Sequence, residues 1–113
     1  MNMKTSYIGE LEELALLTVG SLYDQAYAVT IMKTIKESNN RIIDVTAIHS
    51  VLRRLENKGY VKSTMGGATA ERGGRRKRYF VLSQAGRQVL DEIMVVRSSL
   101  YDKLPKPTFS GSV

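Results

Sequence analysis

A chain of 113 residues, 42% of them hydrophobic and with a formal charge of +6, has room for one small domain with its own core and not for two. The absence of cysteine rules out a disulfide framework and a thiolate zinc site, and a single histidine, His49, rules out a histidine-based metal cluster, so no cofactor or metal is expected. The longest strongly apolar run, Leu14 to Leu17, is far too short to span a bilayer, and Met1 to Gly9 lack the basic head and apolar core of an export signal, so a cytoplasmic location is expected.

In chain order, Leu11, Leu14, Ala15 and Leu17 fall at helical spacing behind the acidic turn Glu10, Glu12 and Glu13, which predicts a first helix from Gly9 to about Leu22. Ser21 to Ala26 connects it to a second helix over Tyr27 to Glu37, whose apolar face is Ala28, Ile31, Met32 and Ile35. Asn39 and Asn40 are suited to end it, because Asn tolerates the left-handed backbone of a helix stop. A third helix has Asp44 as its cap, Val45, Ile48, Val51, Leu52 and Leu55 as its buried stripe, and Gly59 as its stop.

Tyr60 to Met65 and Lys77 to Leu82 are short runs with β-branched and aromatic residues, separated by a loop with two Gly-Gly pairs, and they predict one antiparallel hairpin. Tyr60, Tyr79 and Phe80 are expected to pack that hairpin rather than to stack on bases. Ser83 is an N-cap for a last helix reaching about Leu104, on which Val89, Ile93, Val96 and Leu100 recur at coiled-coil-like spacing. At 1.5 Å per residue this helix is roughly 30 Å long, more than the preceding elements can cover, so part of its stripe is expected to meet a second subunit. Residues 105–113, with Pro105, Pro107 and the Ser110 to Ser112 run, read as a flexible tail. The fold class is therefore mainly α with a small β-hairpin.

Charge is concentrated on one part of this plan. Ten cationic and three anionic residues lie between Arg41 and Arg78, a net +7 that exceeds the +6 of the whole chain. Charge gathered on one helix and the hairpin behind it is a nucleic-acid footprint, whereas the same charge scattered would serve solubility. No glycine loop ends in Gly-Lys-Ser or Gly-Lys-Thr, and the single Arg72-Gly73-Gly74 triplet is too short to count as an RNA-binding tract. No nucleophile has an adjacent base, and Asp91 and Glu92 point in different directions on a helix, so an enzyme is not expected.

Three segments carry a resemblance. Gly9-Glu10-Leu11-Glu12-Glu13-Leu14, Leu52-Arg53-Arg54-Leu55-Glu56-Asn57-Lys58-Gly59-Tyr60-Val61 and Arg78-Tyr79-Phe80-Val81-Leu82-Ser83-Gln84-Ala85-Gly86-Arg87 resemble the opening, the run into the wing and the wing exit of the PadR family of bacterial transcription regulators. The resemblance spans about Gly9 to Leu104. It implies a winged helix-turn-helix over residues 1–82 and a single C-terminal dimerisation helix over residues 83–104, as in the shorter homodimeric subfamily. The chain departs from the family at Ala47-Ile48-His49-Ser50, where the family commonly has Thr-Leu-Tyr-Pro, and in its longer, more cationic wing loop.

The implied partners are double-stranded DNA, a second copy of the chain and a flat aromatic effector at the dimer seam. With Ile48, Leu52 and Leu55 facing the core, Thr46, His49, Ser50 and Arg53 are the candidates for base readout, with Arg54 beside them. Arg72, Arg75, Arg76, Lys77 and Arg78 are the candidates for phosphate contact, Arg78 having an alternative role in the fold. Leu11, Leu14, Val89, Ile93, Val96 and Leu100 are the candidates for the dimer interface. The competing expectation is a winged-helix protein-interaction module without a specific DNA target.

Overall fold

The computed structural model describes residues 8–66 and 76–107. Helix α1 covers Glu10–Leu22 and is followed by a 3₁₀ turn at Tyr23–Gln25; α2 covers Ala28–Asn39 and α3 Val45–Asn57. Strands β1, Val61–Met65, and β2, Arg78–Leu82, pair antiparallel, with Ser63 opposite Phe80, and α4 runs from Gln84 to Asp102. The predicted order of elements is thus observed, with boundaries moved by one or two residues.

Local chemistry explains most boundaries. Asn40 ends α2 in the left-handed conformation, φ 59°, and its amide returns to the Lys36 carbonyl at 2.8 Å. At the end of α3, Gly59 takes φ 84°, with its amide on Glu56 O and that of Tyr60 on Leu55 O, both at 2.9 Å. This pair of bonds is the Schellman arrangement, whose left-handed position favours a residue without a Cβ. Asp44 precedes α3 as expected but does not cap it with its side chain: its carbonyl receives the Ala47 and Ile48 amides, while its carboxylate accepts from the Thr46 hydroxyl.

The core lies where α1, α2 and α3 meet. Leu16, Val19, Ile31, Ile35, Ile48, Val51, Leu52 and Leu55 are almost fully buried there, and Val61 and Phe80 of the hairpin close one side. The outer edge of β2 is tied to the chain ahead of α2 by the Phe80 amide, which donates to Ala26 O at 2.9 Å. Dispersion and burial of this apolar set drive the assembly, at about 1.5–3 kcal/mol per large side chain.

Helix α4 is anchored at its start by packing, and the apolar stripe of its second half is left uncovered. Ser83, buried, accepts the Gly86 amide at 3.0 Å and donates its own hydroxyl to Gly59 O at 2.7 Å, so one side chain caps α4 and joins it to the end of α3. Gly86 packs so closely that a Cβ there would fall 2.1 Å from the Tyr60 carbonyl oxygen. Val89, expected at a seam between chains, is 7% exposed and belongs to the protomer's own core with Leu90, because it lies in the two turns that α1 and β2 cover. Ile93, Leu11 and Leu14 are half-buried at the margin of that core, and Val96 and Leu100 stand clear of it at 56% and 61% exposure.

Candidate nucleic-acid interface

The buried stripe of α3 fixes what its other face can present. With Ile48, Val51, Leu52 and Leu55 inward, Thr46, His49, Ser50 and Arg53 are all exposed, at the i, i+3, i+4 and i+7 spacing of one helical face. These four form a single surface strip at the N-terminal and central part of α3, the part of a recognition helix that reaches base edges. The Thr46 hydroxyl is held by Asp44, which leaves its oxygen lone pairs and methyl group as the outward chemistry.

Arg54 turns the other way. Its Nε donates to Glu12 Oε2 at 3.2 Å, and Lys58 Nζ reaches both oxygens of the same carboxylate at 3.1 Å, so Arg54 sits at the junction of α1 and α3 rather than beside Arg53. Glu12, which the sequence presents only as a first-turn acid, is buried and also accepts the Gly9 amide at 2.8 Å. Burial alone pushes its pKa up, the largest single effect, but the Gly9 amide, Lys58 and Arg54 together outweigh it and hold the carboxyl below the usual glutamate range. Glu13, the next residue, binds Arg97 of α4 in a two-point ion pair, Nη2 to Oε1 at 2.6 Å and Nε to Oε2 at 3.0 Å. Glu10 pairs with Arg41 in the turn before α3 at 3.0 Å. The acidic turn of α1 is thus a hub that holds α3, α4 and the segment between α2 and α3.

Beyond α3 lies the cationic hairpin. Arg72 and Arg75 fall among residues 67–75, outside the described residues; Arg76, Lys77 and Arg78 are exposed at the start of β2. Lys77 and Arg78 also have partners within the fold. The Lys77 ammonium lies 4.9 Å from the centre of the Tyr27 ring, and that ring meets Tyr79 edge-on at 5.2 Å. Arg78 Nη1 donates to Ser63 Oγ at 3.0 Å, and Ser63 donates to Glu56 Oε2 at 2.7 Å. Glu56 therefore serves the hairpin and not the neighbouring arginines of α3. The sequence does not announce these tertiary partners, since Tyr27 and Ser63 carry no local signal beyond helix start and strand.

Among the described residues, no group of three or more His, Asp or Glu side chains could hold a metal ion, and no helix is long and apolar enough to cross a membrane. Three packed helices, α1 to α3, and a two-stranded wing define a winged helix-turn-helix with an added C-terminal helix. The profile of the transcriptional regulator PadR-like family matches residues 14–92, more than half of the chain, and the protein belongs to that family of DNA-binding transcriptional regulators.

Solved structures share the fold. A PadR-like transcription factor from Bacteroides fragilis superposes with a TM-score of 0.70 at 24% identity, covering 81% of this chain and 84% of its own. A PadR family regulator from Eggerthella lenta gives 0.63 at 23%, covering 81% and 80%, and one from Clostridium difficile gives 0.63 at 19%, covering 85% and 100%. No curated protein matches the chain.

Proposed function

We propose that the protein is a homodimeric repressor that reads a palindromic operator with α3 and grips the flanking backbone with its wing. The observation that carries this reading is the alignment of Thr46, His49, Ser50 and Arg53 on one exposed strip of α3, beside a hairpin that holds most of the chain's excess positive charge. Arg53 is the strongest base reader, because a guanidinium can bind guanine O6 and N7 together. Arg72, Arg75, Arg76 and Lys77 supply phosphate contacts, which give affinity and placement without sequence choice. Repression follows from occupying a promoter.

The dimer is supported by the continuation of the α4 stripe past the protomer's core: Ile93, Val96 and Leu100, with Leu11 and Leu14 of α1 at its margin, form an apolar surface that a second copy would cover. Between the start of α1 and α4 lies a groove of about 380 Å³ lined by Ile8, Glu13, Ile93, Val96, Arg97 and Leu100. A flat aromatic effector seated there would act by favouring one packing of α4 over another, which requires unequal affinity for the two states.

Selection of bound fragments from the source genome tests the reading. It should enrich an inverted repeat within promoters, with half-site centres about 10 bp apart or a multiple of that spacing. Enrichment of no motif, together with a stable protein partner in pull-down, would instead support a protein-interaction module.

A further inference from the structure

We propose that Glu56, Ser63 and Arg78 form a brace that sets the angle of the wing against the recognition helix, so that they act on DNA binding as positioning residues and not as DNA contacts. The inference rests on the DNA-binding reading above and assigns a role within it.

The three residues come from three elements: the last turn of α3, the middle of β1 and the first residue of β2. In the hairpin register Val61, Ser63 and Met65 lie opposite Leu82, Phe80 and Arg78. Since side chains alternate along a strand and Val61 and Phe80 are buried, Ser63 and Arg78 share the face of the hairpin turned toward the helices. There the Ser63 hydroxyl donates to Glu56 at 2.7 Å and accepts from Arg78 at 3.0 Å. A hydroxyl between a carboxylate and a guanidinium makes both bonds charge-assisted, and its single proton fixes the direction of the chain from Arg78 to Glu56.

Glu56 is otherwise out of place. It is an exposed anion on the most cationic unit of the chain, where a carboxylate repels phosphate. Its contact with Ser63 gives it a geometric purpose. Arg78 stands at the loop end of the paired strands, opposite Met65 and directly after Arg76 and Lys77, so its link through Ser63 to Glu56 fixes how far this end of the hairpin leans from α3. The other face of the hairpin at this end is held separately by the Lys77, Tyr27 and Tyr79 contacts, so the relay completes a grip from both sides.

Ser63→Ala is the clean test, because it removes the link without changing charge. Binding to the selected operator and to random duplex is measured over a salt series, with thermal unfolding as a check on the fold. Ser63→Ala should weaken operator binding about three- to tenfold, the scale of one or two exposed charge-assisted hydrogen bonds. It should also make the salt dependence shallower, as wing phosphate contacts are lost. Glu56→Gln should weaken operator binding as well, although loss of an anion alone would strengthen binding to any duplex. The double variant should be no weaker than Ser63→Ala. Unchanged operator affinity and salt slope in Ser63→Ala, or tighter operator binding by Glu56→Gln, overturns the brace and leaves the DNA reading standing. If the unaltered protein binds no duplex at all, the DNA reading fails first and the brace falls with it.

Discussion

Arg53 and Arg54 lie about 100° apart around α3, and that angle decides what each guanidinium can reach. Arg53 faces outward in line with Thr46, His49 and Ser50, whereas Arg54 is drawn to Glu12. Arg53→Ala should relax preference at one base position of the operator, at a cost of about 1–3 kcal/mol for that base, in a selection from randomised duplexes. Arg54→Ala should leave the selected motif unchanged and lower the thermal midpoint. Glu12 makes the sharper case: Glu12→Gln should cost about 1–3 kcal/mol near neutral pH, because it breaks a buried carboxylate away from two cations. Its folded pKa lies below the ordinary value of 4.5, so the carboxylate's contribution is fully present above that value and fades as pH falls through the depressed one. Denaturant unfolding of both proteins at a series of pH values should show the gap constant above about pH 5 and closing in more acidic solution. The outward strip was legible in the sequence because the apolar stripe of α3 dictates it. The inward pairings were not, since Glu12 meets partners 42 and 46 residues away and only the packing of α1 on α3 brings them together.

Among the elements, the ends of α2 and α3 and the start of α4 were readable from single residues with one strong local preference: Asn40, Gly59 and Ser83. What the sequence does not display is that Ser83 also reaches back to Gly59 O, or that Gly86 is needed for close approach to Tyr60 rather than for a turn. Gly86→Ala should therefore destabilise the domain by about 1–3 kcal/mol, as overpacking against a carbonyl fixed in the α3 stop cannot be relieved by a side-chain rotation. Equilibrium unfolding in denaturant measures this, and a change within error would mean that α4 moves aside easily. The wing is tested by salt. Four phosphate contacts per subunit, from Arg72, Arg75, Arg76 and Lys77, correspond in a dimer to a slope of log K against log salt of about −7. Replacing Arg75 and Arg76 by Ala should flatten that slope by about 3 to 4 and weaken operator and random duplex alike. The division of labour among the wing cations was only partly legible, because nothing local to Lys77 names Tyr27 as its neighbour.

For the whole molecule, the stripe of α4 was visible as a repeat, but the sequence could not say where the protomer's own core stops. That point depends on how far α1 and the hairpin extend along α4, and it falls between Val89 and Val96. Val96→Glu and Leu100→Glu, both on exposed positions, should leave the protomer folded and shift a dimer toward monomer in sedimentation, with operator affinity falling in step. A monomeric unaltered protein at micromolar concentration would remove the basis for this prediction. The fixed joint at Ser83 and Gly86 gives α4 a further property. Because its first turn is locked to the end of α3, the helix works as a lever about 28 Å long whose far part lies in the proposed dimer seam. A change of roughly 10° in the crossing of two such levers would displace the reading heads by about 5 Å, more than the roughly 3.4 Å between successive bases of one strand. A small molecule at the seam would then need no path to the DNA surface, since it would alter which spacing of half-sites the two heads can straddle.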